Sequence, residues 1–329
     1  MCAVIAIPVG ISMAWYENVC AGSPGGRPVV VAVKSGESAT GVMDTLTKDG
    51  VVTDTLAMRV YMLLHGTPSI EVGLYRFFKH ESFAGITGTL EGGPDVADVV
   101  VQPGATIDQV ALEVSQATSR SAGSFYNALS SAVHASSLIG AIVPRNATSM
   151  EGMVGTGTYR ILPGESLDII ARQMVARYGA ELEKTGLIQS ARHFGITPYQ
   201  AMIVASLVQE EGVYTSNMPK VARVVYNRLS QRMKLQLDAT VLYALHRSGG
   251  VVTGSDLSVQ SPYNTYLHAG LPPTPIGIAS IQALDATVHP ANGAWLFFVV
   301  VSQSGKEAFS DTLAQQLVNE KIARRNGIL

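Results

Sequence analysis

The chain of 329 residues carries 23 Lys and Arg against 25 Asp and Glu, a net charge of −2, and is 47% hydrophobic and only 15% charged. That composition excludes a disordered chain, and a pI near 6.4 leaves no basic field to draw nucleic acid, so no nucleic-acid partner is expected. Seven histidines lie far apart, never at metal-ligand spacing, and both cysteines, Cys2 and Cys20, sit near the start, so neither a metal, a cofactor nor a disulfide framework is expected.

Residues 1–16, MCAVIAIPVGISMAWY, are uncharged and end on an aromatic pair, Trp15 and Tyr16. As a helix they would extend about 24 Å, short of the roughly 30 Å hydrocarbon layer. We expect a membrane anchor and linker over 1–28 that places the remainder outside the cytoplasm, a single-pass cell-membrane protein. The competing reading is a buried first element of a soluble protein.

Three stretches then share one spacing: VVVAVKSGESATGVMDTL, VVVQPGATIDQVALEV and YRILPGESLDIIARQM. Gly36, Gly104 and Gly164 are each followed two residues later by Ser38, Thr106 or Ser166. Apolar residues come four and eight positions after that, at Val42 and Leu46, Val110 and Val114, and Ile170 and Met174. This predicts strand, glycine turn and capped helix, three times over. The spacing resembles the LysM carbohydrate-binding module. Residues 118–149, rich in Ser, Ala, Gly, Asn and Thr, read as partly helical connecting structure with a boundary near 145–150.

The segment TPYQAMIVASLVQEEG predicts a helix with Thr197 as N-cap and Pro198 in its first turn. Val204, Leu207, Val208 and Glu211 recur at helical spacing, so the Glu211 carboxylate falls on an apolar face near the helix C-terminus. Glu210 is turned about 100° from it. Desolvation and the helix dipole both disfavour the charged form there, the condition a general acid needs. Further on, LQLDATVLYAL offers Gln236, Asp238 and Thr240, and SPYNTYLHAGLPPTPI offers Ser261, Tyr263, Asn264 and Tyr266. Rings suited to apolar sugar faces and amide or hydroxyl groups suited to sugar hydroxyls make these candidate substrate contacts.

ASLVQEEG, VARVVYNRL, LQLDATVLY, SPYNTY with GLPPTPI, and Ala286 to Pro290 occur in the order and spacing of the YceG-like endolytic murein transglycosylases, which this chain resembles over roughly 30–325. Departures fall at Leu237, Ala239 and Thr274. The resemblance implies an α+β protein: an N-terminal membrane segment, LysM-like βα units over 29–148, and a mixed α/β catalytic domain over 149–329. It implies a lytic transglycosylase that cuts nascent peptidoglycan between N-acetylmuramic acid and N-acetylglucosamine and leaves 1,6-anhydro ends, with peptidoglycan strands, the membrane and penicillin-binding synthases as partners. The family's catalytic glutamate falls on Glu211. Glu210 takes a variable position, and Gln209 stands where some relatives carry an acid, so it should be dispensable. A muramidase using Asp238 as second carboxylate and a non-catalytic wall-binding protein are the rival readings.

Overall fold

The computed structural model describes residues 13–329 apart from Ser35, Thr148, Pro163 and Val213. Most of the expected membrane segment, residues 1–12, therefore lies outside the described residues. Among those described, no helix is long and apolar enough to cross a membrane. The contacts divide the chain into two compact units, one reaching to Ala97 and including Arg160–Gly164, the other Asp98–Tyr159 with Glu165–Leu329. The division by contacts falls after Ala97.

In the first unit, residues 13–21 form helix α1. Strand β1 (Gly25–Val33), helices α2 (Ala39–Lys48) and α3 (Thr55–His65), strand β2 (Gly73–Lys79) and helix α4 (Phe83–Glu91) follow. β1 and β2 pair antiparallel, with Val31 opposite Tyr75 and Val33 opposite Gly73. Period-2 alternation turns Val31, Val33, Tyr75 and Phe77 inward onto Met43, Leu46, Met58 and Ile86 from the helices. Tyr16, Val19 and Cys20 of α1 pack against the same core.

The second unit starts with strand β3 (Ala97–Val101), whose first residue belongs to the first unit. Helices α5 (Ile107–Thr118) and α6 (Ala122–Ala135) lead to strand β4 (Gly157–Ile161), which pairs with β3. The long α7 (Leu167–Thr185), short α8 (Leu187–Ser190), α9 (Pro198–Glu211), α10 (Met218–Ser230), α11 (Asp238–Ala244) and α12 (Ile281–Val288) follow. The β5 (Phe297–Val300) and β6 (Glu307–Ser310) antiparallel pair and α13 (Leu313–Arg325) close the chain. The segment 118–149 is more ordered than its composition suggests, because Phe125, Leu129 and Val133 of α6 are buried, and α6 packs along α7.

The three expected strand–turn–helix units form as read. Gly36, Gly104 and Gly164 have φ of 79°, 83° and 80°, the left-handed region that glycine enters without a Cβ penalty. Ser38, Thr106 and Ser166 accept from Gly41, Gln109 and Ile169 N–H and cap α2, α5 and α7. Pairing sorts these units differently from their succession in sequence: the first strand pairs with β2, while the strands of the second and third pair with each other.

Candidate active site

Helix α9 carries the site. Thr197 caps it, with Gln200 completing a capping box and Pro198 in the first turn, as the sequence predicts. Every residue from Ala201 to Val208 is buried, with α8, α10, α11 and α12 packed around the helix. A helix apolar on all sides belongs inside a protein, so its polar C-terminal residues emerge at an interior surface. They line a pocket of about 900 Å³ that also takes in Gly104, Thr106, Asp238, Ala239, Tyr243 and Arg247, all in the second unit.

Glu211 is part-exposed to this pocket, and its Oε1 accepts from Ala239 N–H at 3.2 Å. Burial pushes its carboxyl up to about 7, against that hydrogen bond and with help from the negative charges of Asp238, Glu210 and Glu307. Glu210, turned about 100° from Glu211, is exposed. It nevertheless lines the same pocket, and desolvation by the surrounding lining raises its carboxyl to about 7. The 100° between the two side chains leaves Glu210 the more exposed, yet both reach the one pocket at the end of α9. The Glu210 carboxylate stands against two glycine backbones: a Cβ on Gly104 would lie 2.7 Å from Oε1, and one on Gly277 3.4 Å. Those glycines sit on loops joined by Gly104 N–H to Ile278 O at 2.8 Å and Ile278 N–H to Ala105 O at 2.9 Å.

Of the expected substrate contacts, Asp238 lines the pocket, and Tyr266 reaches it by donating from Oη to Asp238 Oδ1 at 2.6 Å. The others build the loops behind it. Asn264 is fully buried, its Nδ2 donating to Leu257 O and Val259 O at 2.9 Å each and its Oδ1 accepting from Tyr266 N–H at 3.0 Å. Both Nδ2 protons and one acceptor direction of Oδ1 thus serve the loop. Thr240 is likewise buried, donating to Leu237 O at 2.7 Å and sharing a hydrogen bond with Thr265 at 2.9 Å. Ser261 Oγ accepts from Tyr263 N–H at 3.3 Å, and the Tyr263 hydroxyl pairs with Thr274 at 2.8 Å. Gln236 is exposed, outside the pocket lining, at φ 49°. Gln209, expected to be dispensable, accepts from Ser280 N–H at 3.1 Å and so holds the start of α12 to α9.

Sequence reasoning missed three participants. Tyr243 lines the pocket, and its ring tilts against Tyr263 at 4.8 Å. Glu151 lies buried behind it, bonded to the Tyr243 hydroxyl at 3.2 Å. Arg228 donates to Leu235 O and Leu296 O at 2.6 Å each, and its charge acts on both Glu211 and Tyr266. Of the two arginines in VARVVYNRL, Arg228 is the one on the buried face of α10, where a charged residue is unusual. Among the described residues no cluster of His, Cys, Asp and Glu has the form of a metal site.

The sequence profile of the YceG-like family matches residues 31–322. The chain belongs to that family. It is 28% identical over 300 residues to an endolytic murein transglycosylase of Bacillus subtilis, covering 87% of this chain and 82% of the relative. It is 25% identical over 314 residues to an endolytic murein transglycosylase of Streptococcus pneumoniae, where it spans 56% of the longer relative. A crystal structure of a YceG-like protein from Listeria monocytogenes superposes with a TM-score of 0.61 at 23% identity, over 89% of this chain and 99% of that one. That likeness establishes the fold: mixed α and β.

Proposed function

We propose that this chain is an endolytic murein transglycosylase, a lyase that cleaves peptidoglycan glycan strands, with Glu211 as its single acid and base. The observation that carries the reading is a carboxyl at the end of a helix buried from Ala201 to Val208, opening on a pocket and raised to about 7, in a chain of the YceG-like family. At neutral pH a substantial fraction of Glu211 keeps its proton, so it can protonate the bridging oxygen between N-acetylmuramic acid and N-acetylglucosamine. The carboxylate so formed then takes the proton of the muramic acid 6-hydroxyl as that oxygen closes on C1, giving a 1,6-anhydro end. One group serves both steps, and no water is consumed. Asp238, held by Tyr266, is placed to bind sugar hydroxyls. The βααβ unit of the first half would add a LysM-like grip on the glycan. The uncharged N-terminal run would hold the protein at the cell membrane beside penicillin-binding synthases.

Because Asp238 shares the pocket, hydrolysis by two carboxylates is the competing reaction, and the product distinguishes them. Mass spectrometry of uncrosslinked glycan strands treated with the full chain should find anhydro-muramic ends, absent with Glu211→Gln. Reducing ends heavier by one water would move the protein to the muramidases, and full activity in Glu211→Gln would remove Glu211 from the mechanism.

A further inference from the structure

Glu151 has no part in the chemistry above, yet it is a carboxyl with 2% exposure, among the most deeply placed charged side chains of the second unit. Its Oε1 accepts from Ile107 N–H at 2.9 Å and from Gly152 N–H at 3.2 Å, and its Oε2 from the Tyr243 hydroxyl at 3.2 Å. Ile107 is the first residue of α5, where backbone N–H groups have no partner within the helix and favour a negative group. Three residues before it, the Gly104 turn stands against the Glu210 carboxylate. Tyr243, on the other arm, lies against Tyr263, whose hydroxyl binds Thr274. Gly152 closes the arrangement: a Cβ there would meet Pro275 at 2.8 Å and Gly277 O at 3.1 Å. One buried carboxyl thus joins two stretches of pocket lining, 104–106 and Tyr243, that are far apart in sequence.

We propose that Glu151 is a positioning residue for the glycan pocket, fixing the first turn of α5 and the Tyr243 ring so that the lining opposite Glu211 is set to the width of a sugar chain. This rests on the proposed function for the nature of the ligand. It assigns Glu151 no proton transfer, so its loss should fall on substrate binding more than on turnover.

The test compares Glu151→Gln, Glu151→Ala, Tyr243→Phe and the Ala/Phe double variant in the full chain. KM and kcat are measured with uncrosslinked glycan strands polymerised from lipid II. Affinity for the same strands is measured with each change placed in Glu211→Gln protein. Glu151→Ala and Tyr243→Phe should each raise KM on the order of tenfold, more than they lower kcat. The double variant should be no worse than Glu151→Ala alone, because both changes break the same link. Glu151→Gln, which keeps an acceptor for both N–H groups and a donor or acceptor for Tyr243, should recover most of the affinity. Tyr243→Phe and Glu151→Gln proteins that fold normally separate this role from plain stability should Glu151→Ala fail to fold. Unaltered affinity in both Tyr243→Phe and Glu151→Ala, or losses that simply follow a lowered melting temperature, would overturn the proposal. If the unaltered chain binds strands without producing anhydro ends, the proposed reaction fails while the affinity comparison still decides the role of Glu151.

Discussion

Glu210 and Glu211 are adjacent in sequence, share one pocket and have both been raised to about 7 by desolvation. The Glu210 charge adds to the rise of the Glu211 carboxyl. If Glu211 must enter the reaction protonated, kcat should fall as pH rises through about 7. Glu210→Gln removes a neighbouring negative charge, so the Glu211 proton should be lost at lower pH and the alkaline limb should move down; an unmoved limb would show the two carboxylates to be independent. The place of Glu211 at the end of α9 was legible because its helix position and motif agree. The pocket it shares with Glu210 was not, since helical spacing gives directions around an axis and says nothing of what surrounds it. Glu151 gave no local signal at all: its partners Ile107 and Tyr243 lie 44 and 92 residues away. Asn264 shows another limit, because an amide suited to a sugar is equally suited to a tight loop. Asn264→Ala should leave Leu257 O and Val259 O without their donor and cost about 2–3 kcal/mol, read as a lower melting temperature.

At the scale of elements, the local grammar of the chain was readable and the pairing was not. Glycine turns followed by Ser or Thr caps specify themselves within ten residues, which is why the starts of α2, α5, α7 and α9 fall where the sequence puts them. Which strand joins which depends on burial contributed by residues far along the chain, and β2, β5 and β6 carry no comparable turn signal. Two substitutions probe this level. Thr197→Ala removes the cap of α9 and should cost about 1 kcal/mol, seen in thermal unfolding. Gly104→Ala adds a Cβ at φ 83° and 2.7 Å from Glu210 Oε1. It should therefore cost a further ~1 kcal/mol in backbone strain and lower activity by displacing Glu210, whereas Gly36→Ala, with open space around its Cβ, should show the backbone term alone.

For the whole molecule, the raised carboxyls make stability depend on pH. Glu151, Glu181, Glu210 and Glu211 each sit at about 7 in the fold against an ordinary value near 4.5, with desolvation the leading cause. The folded chain therefore holds more protons than the unfolded chain between those values. The stability these groups allow is fully present below pH 4.5 and is lost as pH rises through about 7. For Glu151, faced by Tyr243 and by Asp108 and Tyr126 from α5 and α6, the loss is on the order of 3 kcal/mol. Chemical denaturation at pH 5 and pH 8 should show Glu151→Gln gaining on the unaltered protein at the higher pH; equal differences at both would remove Glu151 from the pH dependence. The pocket also has unequal sides. Ser206 Oγ accepts from Ile276 N–H, and Gln209 Oε1 accepts from Ser280 N–H, both at 3.1 Å, on successive turns of α9. Elsewhere the pocket lining runs through exposed Ser248, Gly249 and Gly250, a stretch almost bare of side chains. The carboxyl proposed to react thus rides on a helix braced at two turns, while this stretch of the lining would meet a bulky polymer with little more than backbone.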